Sequence, residues 1–250
     1  MNEPLVLIHG SAAGARSWVG VRRALPPGQV VHTPDLLGYG DAPPARAGHT
    51  LADEVAHLTA WLDRAGVSTM HLVAHSYGVA VALHLRRALA GRVTRFTIID
   101  PTVVSILHEF REERALAIID EQYRAFTSRL ADPAAAVRGF LEFWGGADAW
   151  TKLSSAGQRA VAGFAPKVAL EMEAMRADTT SLAALAVDPP PTTVLLGART
   201  GCPALAVSRH LAPAFGATVA AVTAAGHLLP LTHPREVAQH LVAVETAPAP

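Results

Sequence analysis

The sequence lacks the features that mark several classes of protein. It has a single cysteine, Cys202, so no disulfide can form within the chain. Its 21 Lys and Arg residues are balanced by 21 Asp and Glu residues. A protein without a basic excess gains little from contact with nucleic-acid phosphates or with an anionic membrane surface. We therefore expect neither nucleic acid nor a membrane as a partner.

Long hydrophobic runs are also missing, and a membrane span needs about 20 apolar residues. The first apolar run, Leu5–Ile8, has four residues and no basic residue before it, so it does not resemble a signal peptide. Together with the lone cysteine, this predicts a cytoplasmic protein. Glycine-rich nucleotide-binding motifs are absent too, and we expect no cofactor.

What the sequence does contain is a series of short apolar runs that end in turn residues. Such runs are typical of strands that are buried in a parallel sheet, and helical stretches stand between them. The alternation predicts a doubly wound α/β fold. The runs are Leu5–Ile8, Gln29–His32, Met70–Ala74, Phe96–Ile99, Thr193–Leu196 and Thr218–Val222.

The middle of the chain differs, because residues 103–188 contain no run that predicts a strand. This segment predicts a helical cap inserted into an α/β core that is formed by residues 1–102 and 189–250. Its helical stretches are Leu107–Leu130, Ala134–Trp144 and Pro166–Ala186.

A serine stands where a predicted strand turns directly into a predicted helix. Ser76 lies between Ala74 and Gly78, in a variant of the Gly-x-Ser-x-Gly pattern in which Ala74 replaces the first glycine. On such a turn the hydroxyl is exposed above the sheet, and the amide of Tyr77 points toward a substrate oxygen. The alternative interpretation is that Ser76 only caps the helix.

Two other segments carry residues that a nucleophilic serine requires. After the first strand, His9-Gly10-Ser11 offers small residues and the Ser11 amide as a second oxyanion donor. After the last strand, Gly226-His227 offers a base that can accept the proton of Ser76.

With these motifs the chain resembles the α/β-hydrolase superfamily along nearly its whole length. The loop Pro34–Gly40 and the helical insertion match that family as well. The resemblance implies about six mostly parallel strands and a serine hydrolase that cleaves a carboxylic ester, lactone or thioester through an acyl-enzyme. Two alternatives stay open, because the fold hosts many activities. One is a lyase or cofactor-independent oxygenase, and the other is a non-catalytic ligand-binding protein.

The acid that orients the base is missing from its usual place. In the family it commonly follows the strand after the cap in a Gly-x-x-Asp pattern, but here that stretch reads Gly197-Ala198-Arg199-Thr200, and no Asp or Glu occurs between Pro189 and Pro234. Asp100 is the preferred candidate, since it ends the strand that follows the Ser76 helix and some family members are similar in this respect. Asp188, or a dyad supported by water, remains an alternative.

Large apolar residues predict a pocket for a small, largely apolar substrate above Ser76. The predicted lining residues are Trp18, Tyr123, Phe140 and Trp144. We expect a monomer or a homodimer, and no metal. His49, Asp53 and His57 have a helical spacing that can hold zinc, but a solvated helix face is the preferred interpretation. The Ala- and Pro-rich tail from Thr246 to Pro250 is predicted to fray.

Overall fold

The computed structural model describes residues 3–242, so the tail from Thr246 lies outside the described residues. A six-stranded sheet forms the centre, and every neighbouring pair of strands is parallel. The predicted α/β fold class is therefore confirmed. The strands are β1 (Leu5–Ile8), β2 (Val31–His32), β3 (Met70–His75), β4 (Val93–Ile99), β5 (Thr192–Gly197) and β6 (Thr218–Val222), in the spatial order β2-β1-β3-β4-β5-β6.

The burial of each strand follows its place in the sheet. Every residue of the central strands β1 and β3 is buried, because helices cover both faces. Successive residues of β1 point to opposite faces: Val6 and Ile8 join one apolar cluster, whereas Leu5 and Leu7 join another. The edge strand β6 leaves most of its residues exposed or half-buried, so it does not match the expectation of a strand buried on both faces.

The core helices begin and end where the local chemistry indicates. The helix α2 begins after Thr50, whose hydroxyl accepts a hydrogen bond from the Asp53 amide, while the Asp53 carboxylate accepts one from the Thr50 amide. These two hydrogen bonds form a capping box at the start of α2. The core helices are α1 (Val19–Ala24), α2 (Leu51–Arg64), α3 (Tyr77–Ala88), α10 (Cys202–Ala214), α11 (Leu229–Thr232) and α12 (Pro234–Val242).

Between β4 and β5 the chain is entirely helical or irregular. Two of the predicted long helices are each divided: Leu107–Leu130 is interrupted near Arg111, which has a positive φ of 53°, and Pro166–Ala186 is interrupted after Ala177. The helices are α4 (Val104–Glu109), α5 (Glu113–Thr127), α6 (Pro133–Gly145), α7 (Ser155–Ala162), α8 (Ala165–Ala177) and α9 (Leu182–Leu185). None of the helices within residues 3–242 is long and apolar enough to cross a membrane.

Candidate active site

Ser76 occupies a strained turn between β3 and α3. Its backbone has φ 55° and ψ −123°, a region that a non-glycine residue adopts only when the surroundings impose it. Gly78 explains how the turn is packed, since a Cβ atom there would lie 2.5 Å from the His9 carbonyl oxygen. Ala74, by contrast, is fully buried in the core, so the methyl group that departs from the usual pattern is accommodated.

His227 reaches the Ser76 hydroxyl from the loop between β6 and α11. The distance between His227 Nε2 and Ser76 Oγ is 2.9 Å, a hydrogen bond. The His227 loop is held by His75, whose Nε2–H donates to the His227 carbonyl oxygen at 2.7 Å. Burial, and secondarily the neighbouring His75, lowers the pKa of His227 well below 6.5. The imidazole is therefore neutral and able to accept a proton near neutral pH.

Asp100 lies on the other side of His227. Its Oδ2 atom is 3.7 Å from His227 Nδ1, close to but beyond hydrogen-bond distance. The carboxylate accepts hydrogen bonds from the Thr200 hydroxyl at 2.6 Å and from the Gly197 amide at 3.3 Å. Burial raises the pKa of Asp100 to about 7, and these two hydrogen bonds oppose that rise. Thr200 was not identified as a site residue from the sequence.

The alternative acid, Asp188, is placed at the wrong end of the sheet. It precedes the amino end of β5, whereas Ser76 and Asp100 follow the carboxyl ends of their strands. In a parallel sheet these ends lie on opposite edges, so Asp188 does not face His227. Of the two candidate acids, only Asp100 lies close to His227.

The Ser11 loop lies against the Ser76 turn. A Cβ atom on Gly10 would be 2.9 Å from the Ser76 Cβ atom, so the two backbones approach as closely as glycine permits. Ser11 lines the same cavity as Ser76 and Tyr77. The next amide, that of Ala12, donates to the Tyr39 hydroxyl at 2.9 Å, which fixes the loop. Ser11 and Tyr77, whose amides are the predicted oxyanion donors, thus lie in one cavity wall with Ser76.

A narrow apolar cavity of about 30 Å³ opens beside Ser76. Tyr123, Phe140 and Trp144, three of the residues predicted to line a substrate pocket, contribute to its wall. Trp18 does not, and that prediction is wrong: its side chain is fully buried in the apolar cluster that contains Leu5 and Leu7. The short turn Ala15–Trp18 directs the indole toward the sheet instead of the cavity.

A second narrow cavity, of about 20 Å³, lies on the His227 side of the serine. Ser76, Ser11, Phe140 and Trp144 line both cavities, whereas His227 lines only the second. The Trp144 ring packs on the His227 imidazole with 4.3 Å between ring centroids. Ser76 therefore lies between two cavities, and only the second of them is lined by His227.

A buried ionic cluster joins the helical segment to the core next to this site. Lys167 on α8 donates to Glu54 Oε1 on α2 at 2.6 Å and lies 2.8 Å from His49 Nε2. His49 is therefore buried, and the prediction that it belongs to a solvated helix face is wrong. Asp53 is exposed, and His57 Nε2 contacts the Asp35 carbonyl oxygen at 3.0 Å, so these residues do not converge. No group of three or more metal-ligating side chains occurs within residues 3–242.

Comparisons with known proteins agree with this architecture. Lipase LipV of Mycobacterium tuberculosis is 37% identical over 99 residues, which is 40% of this chain and 37% of LipV. The match thus spans well under half of that relative's length. Carboxylesterase CesB of Bacillus subtilis has the same fold, with a TM-score of 0.75 and 19% identity over 99% of this chain and 85% of CesB.

A bromoperoxidase from Bacillus anthracis also shares the fold, with a TM-score of 0.79 and 20% identity over 99% of this chain and 93% of that protein. The fold is therefore common to proteins with different named activities. A model of one family matches residues 5–240, nearly the full length. The chain belongs to the alpha/beta hydrolase family.

Proposed function

We propose that the protein is a serine hydrolase that cleaves a carboxylic ester, lactone or thioester with a small, largely apolar acyl group. The observation that carries this proposal is the 2.9 Å hydrogen bond between Ser76 Oγ and the neutral, buried His227. A nucleophile and a base at this distance form the basic unit of covalent acyl transfer. The substrate is a small molecule, no nucleic acid or membrane takes part, and the chain acts as a monomer or homodimer.

In the first step, His227 Nε2 takes the proton of the Ser76 hydroxyl while Ser76 Oγ attacks the substrate carbonyl carbon. The carbonyl oxygen gains negative charge, and the amides of Ser11 and Tyr77 stabilise it. The imidazolium that forms is stabilised by the Asp100 carboxylate. A closer approach of roughly 1 Å converts the present 3.7 Å separation into a hydrogen bond, a tightening that catalytic pairs commonly undergo with substrate.

In the second step, the imidazolium returns its proton to the leaving alcohol or thiol, and the bond between that group and the acyl carbon breaks. Ser76 is left as an ester. Water then attacks the acyl carbon while His227 takes a water proton, and the same proton finally returns to Ser76 Oγ. The products are the alcohol or thiol, the carboxylic acid and the free enzyme, so water is the only co-reactant that the reaction needs.

The names of two similar proteins support hydrolysis, since LipV is named a lipase and CesB a carboxylesterase. The serine at the turn also argues against the common dehalogenase and epoxide-hydrolase mechanisms, which use a carboxylate as nucleophile there. A lyase or oxygenase that needs His227 only as a base would use Ser76 merely as a hydrogen-bonding group.

Labelling with a fluorophosphonate, followed by mass-spectrometric mapping, tests the proposal. We expect rapid modification of Ser76, loss of labelling in folded Ser76→Ala and His227→Ala variants, and hydrolysis of a p-nitrophenyl ester by the unmodified protein only. A folded wild-type protein that neither labels nor releases p-nitrophenol would overturn the hydrolase and favour the lyase, the oxygenase or the ligand-binding alternative.

A further inference from the structure

Thr102 is a buried residue that lines the cavity beside Ser76. Only 3% of the residue is exposed, and Oγ1 has no hydrogen-bond partner among residues 3–242. Buried hydroxyls in native proteins nearly always have a partner, so an exception in a cavity calls for an explanation. Thr102 was not singled out by any motif of the sequence.

The position of Thr102 is tied to the nucleophile. It follows Asp100-Pro101 at the carboxyl end of β4, and its amide donates to the Ser76 carbonyl oxygen at 3.4 Å. The wall of this cavity is largely apolar, with side chains such as Val104, Ile119 and Met172, and it also contains polar side chains such as Gln122 and Arg176. Of the polar side chains in this wall, the Thr102 hydroxyl is the one that is buried and without a hydrogen-bond partner among residues 3–242.

The two cavities divide the substrate between them. His227 must protonate the leaving group, and it lines the second cavity but not the first. The leaving group therefore belongs in the second cavity. Thr102 lines the first cavity only, together with Ile119 and Met172, so the acyl group is the part of the substrate that lies next to Thr102.

We propose that Thr102 is a specificity-determining residue that hydrogen-bonds an oxygen on the acyl group. The preferred substrates are then small hydroxyacyl or oxoacyl esters, lactones or thioesters, in place of plain hydrocarbon acyl derivatives. This inference rests on the proposed hydrolase function. Its physical basis is that a hydrocarbon acyl group leaves the Thr102 hydroxyl buried and unpaired, whereas an oxygenated acyl group supplies the missing partner.

The cavity volume limits the size of the acyl group. About 30 Å³ exceeds the space that one water molecule needs but leaves little room for a long chain. Short acyl groups are therefore the appropriate probes. Three methyl esters share one small leaving group and one chain length: the butanoate, the 2-hydroxybutanoate and the 3-hydroxybutanoate, the last two tested as both enantiomers.

The measured quantity is the ratio of kcat/KM for the best hydroxylated ester to kcat/KM for the butanoate. We expect a ratio of about ten or more in the wild-type protein and about one in the isosteric Thr102→Val variant. Thr102→Ser keeps the hydroxyl and should keep the preference. Ser105→Ala is the matched control, because Ser105 also has a buried, unpartnered hydroxyl but does not line the cavity.

A ratio near one in the wild-type protein, or an equal ratio in wild-type and Thr102→Val, would overturn the inference. So would an equal loss of preference in Ser105→Ala, since that would assign the effect to packing. If none of the esters is hydrolysed and Ser76 does not react with the fluorophosphonate, the hydrolase proposal itself fails and this inference falls with it. If Ser76 is labelled but kcat/KM is the same for all the esters, the role of Thr102 is rejected and the hydrolase proposal stands.

Discussion

The hydroxyl of Thr200 donates a hydrogen bond of 2.6 Å to Oδ2 of Asp100, although the two residues lie 100 positions apart. Thr200 stands in the stretch Gly197–Thr200, at the place where the family pattern has its acid. Asp100 follows β4 and Thr200 follows β5, and these strands are neighbours in the sheet. A carboxylate from one strand is therefore held by the residue that replaces the usual carboxylate on the next strand.

Replacement of Thr200 by Val should move the pH dependence of activity. Burial raises the pKa of Asp100 to about 7, and the Thr200 hydrogen bond opposes that rise, so its loss raises the pKa further. Because the proposed mechanism needs ionised Asp100, the acidic limb of kcat/KM should shift to higher pH. Thr200→Ser should leave it in place. The pH dependence of kcat/KM checks this prediction. If the acidic limb stays in place in Thr200→Val, the ionisation of Asp100 does not control catalysis.

Replacement of Asp100 by Asn should cost roughly 10³- to 10⁴-fold in kcat/KM, because nothing then stabilises the imidazolium of His227. The acidic limb of the residual activity should also shift to lower pH. The carboxyl group with a pKa of about 7 is gone, and burial holds the pKa of His227 well below 6.5. Asp148→Asn, an exposed change between β4 and β5, is the control and should retain full activity. Full activity in Asp100→Asn would reject the assignment of the acid.

Replacement of Gly78 by Ala should disrupt the turn that presents Ser76. The added Cβ atom would lie 2.5 Å from the His9 carbonyl oxygen and 2.9 Å from that of Ile8, and backbone atoms cannot easily yield. We expect a loss of about 1–3 kcal/mol in the free energy of unfolding and a large loss of activity.

Ala74→Gly is the contrasting change, because it restores the common Gly-x-Ser-x-Gly pattern. It should cost about 0.5–1 kcal/mol in the free energy of unfolding through chain entropy and retain activity. Urea unfolding and ester hydrolysis measure both, and wild-type activity in Gly78→Ala would contradict this account of the turn.

Much of the candidate site could be predicted because its signals are local. Ser76, Asp100 and His227 each follow an apolar run, and the carboxyl ends of parallel strands meet at one edge. The structure brings these three residues together, with the serine and the aspartate on either side of the imidazole. Strand positions were predicted for the same reason, since a buried strand and its terminating turn are both visible in a few consecutive residues.

Other features depend on contacts between distant segments and leave no local signal. Lys167 and Glu54 are 113 positions apart, and a helical pattern alone predicts that each of these charges faces solvent. Trp18 was assigned to the pocket because of its size, but the direction of its side chain depends on the turn that carries it. Thr102 and Thr200 are ordinary residues in the sequence and acquire their positions only when β4 and β5 pair.

Replacement of Lys167 by Met should destabilise the protein more at about pH 8 than at about pH 5. Burial alone would raise the pKa of Glu54, but His49 and Lys167 overcome that effect and hold it below 4.5. A lowered pKa stabilises the fold above pH 4.5, and this stability is lost as the pH falls through the folded-state pKa. Without Lys167 the buried carboxylate is poorly compensated, and stability declines as the pH rises and Glu54 ionises. We expect a loss of about 3–5 kcal/mol in the free energy of unfolding near pH 8.

Lys152→Met, which removes an exposed lysine, is the control and should change nothing measurable. Equal losses at both pH values in urea unfolding would show that Lys167 acts through packing instead of charge.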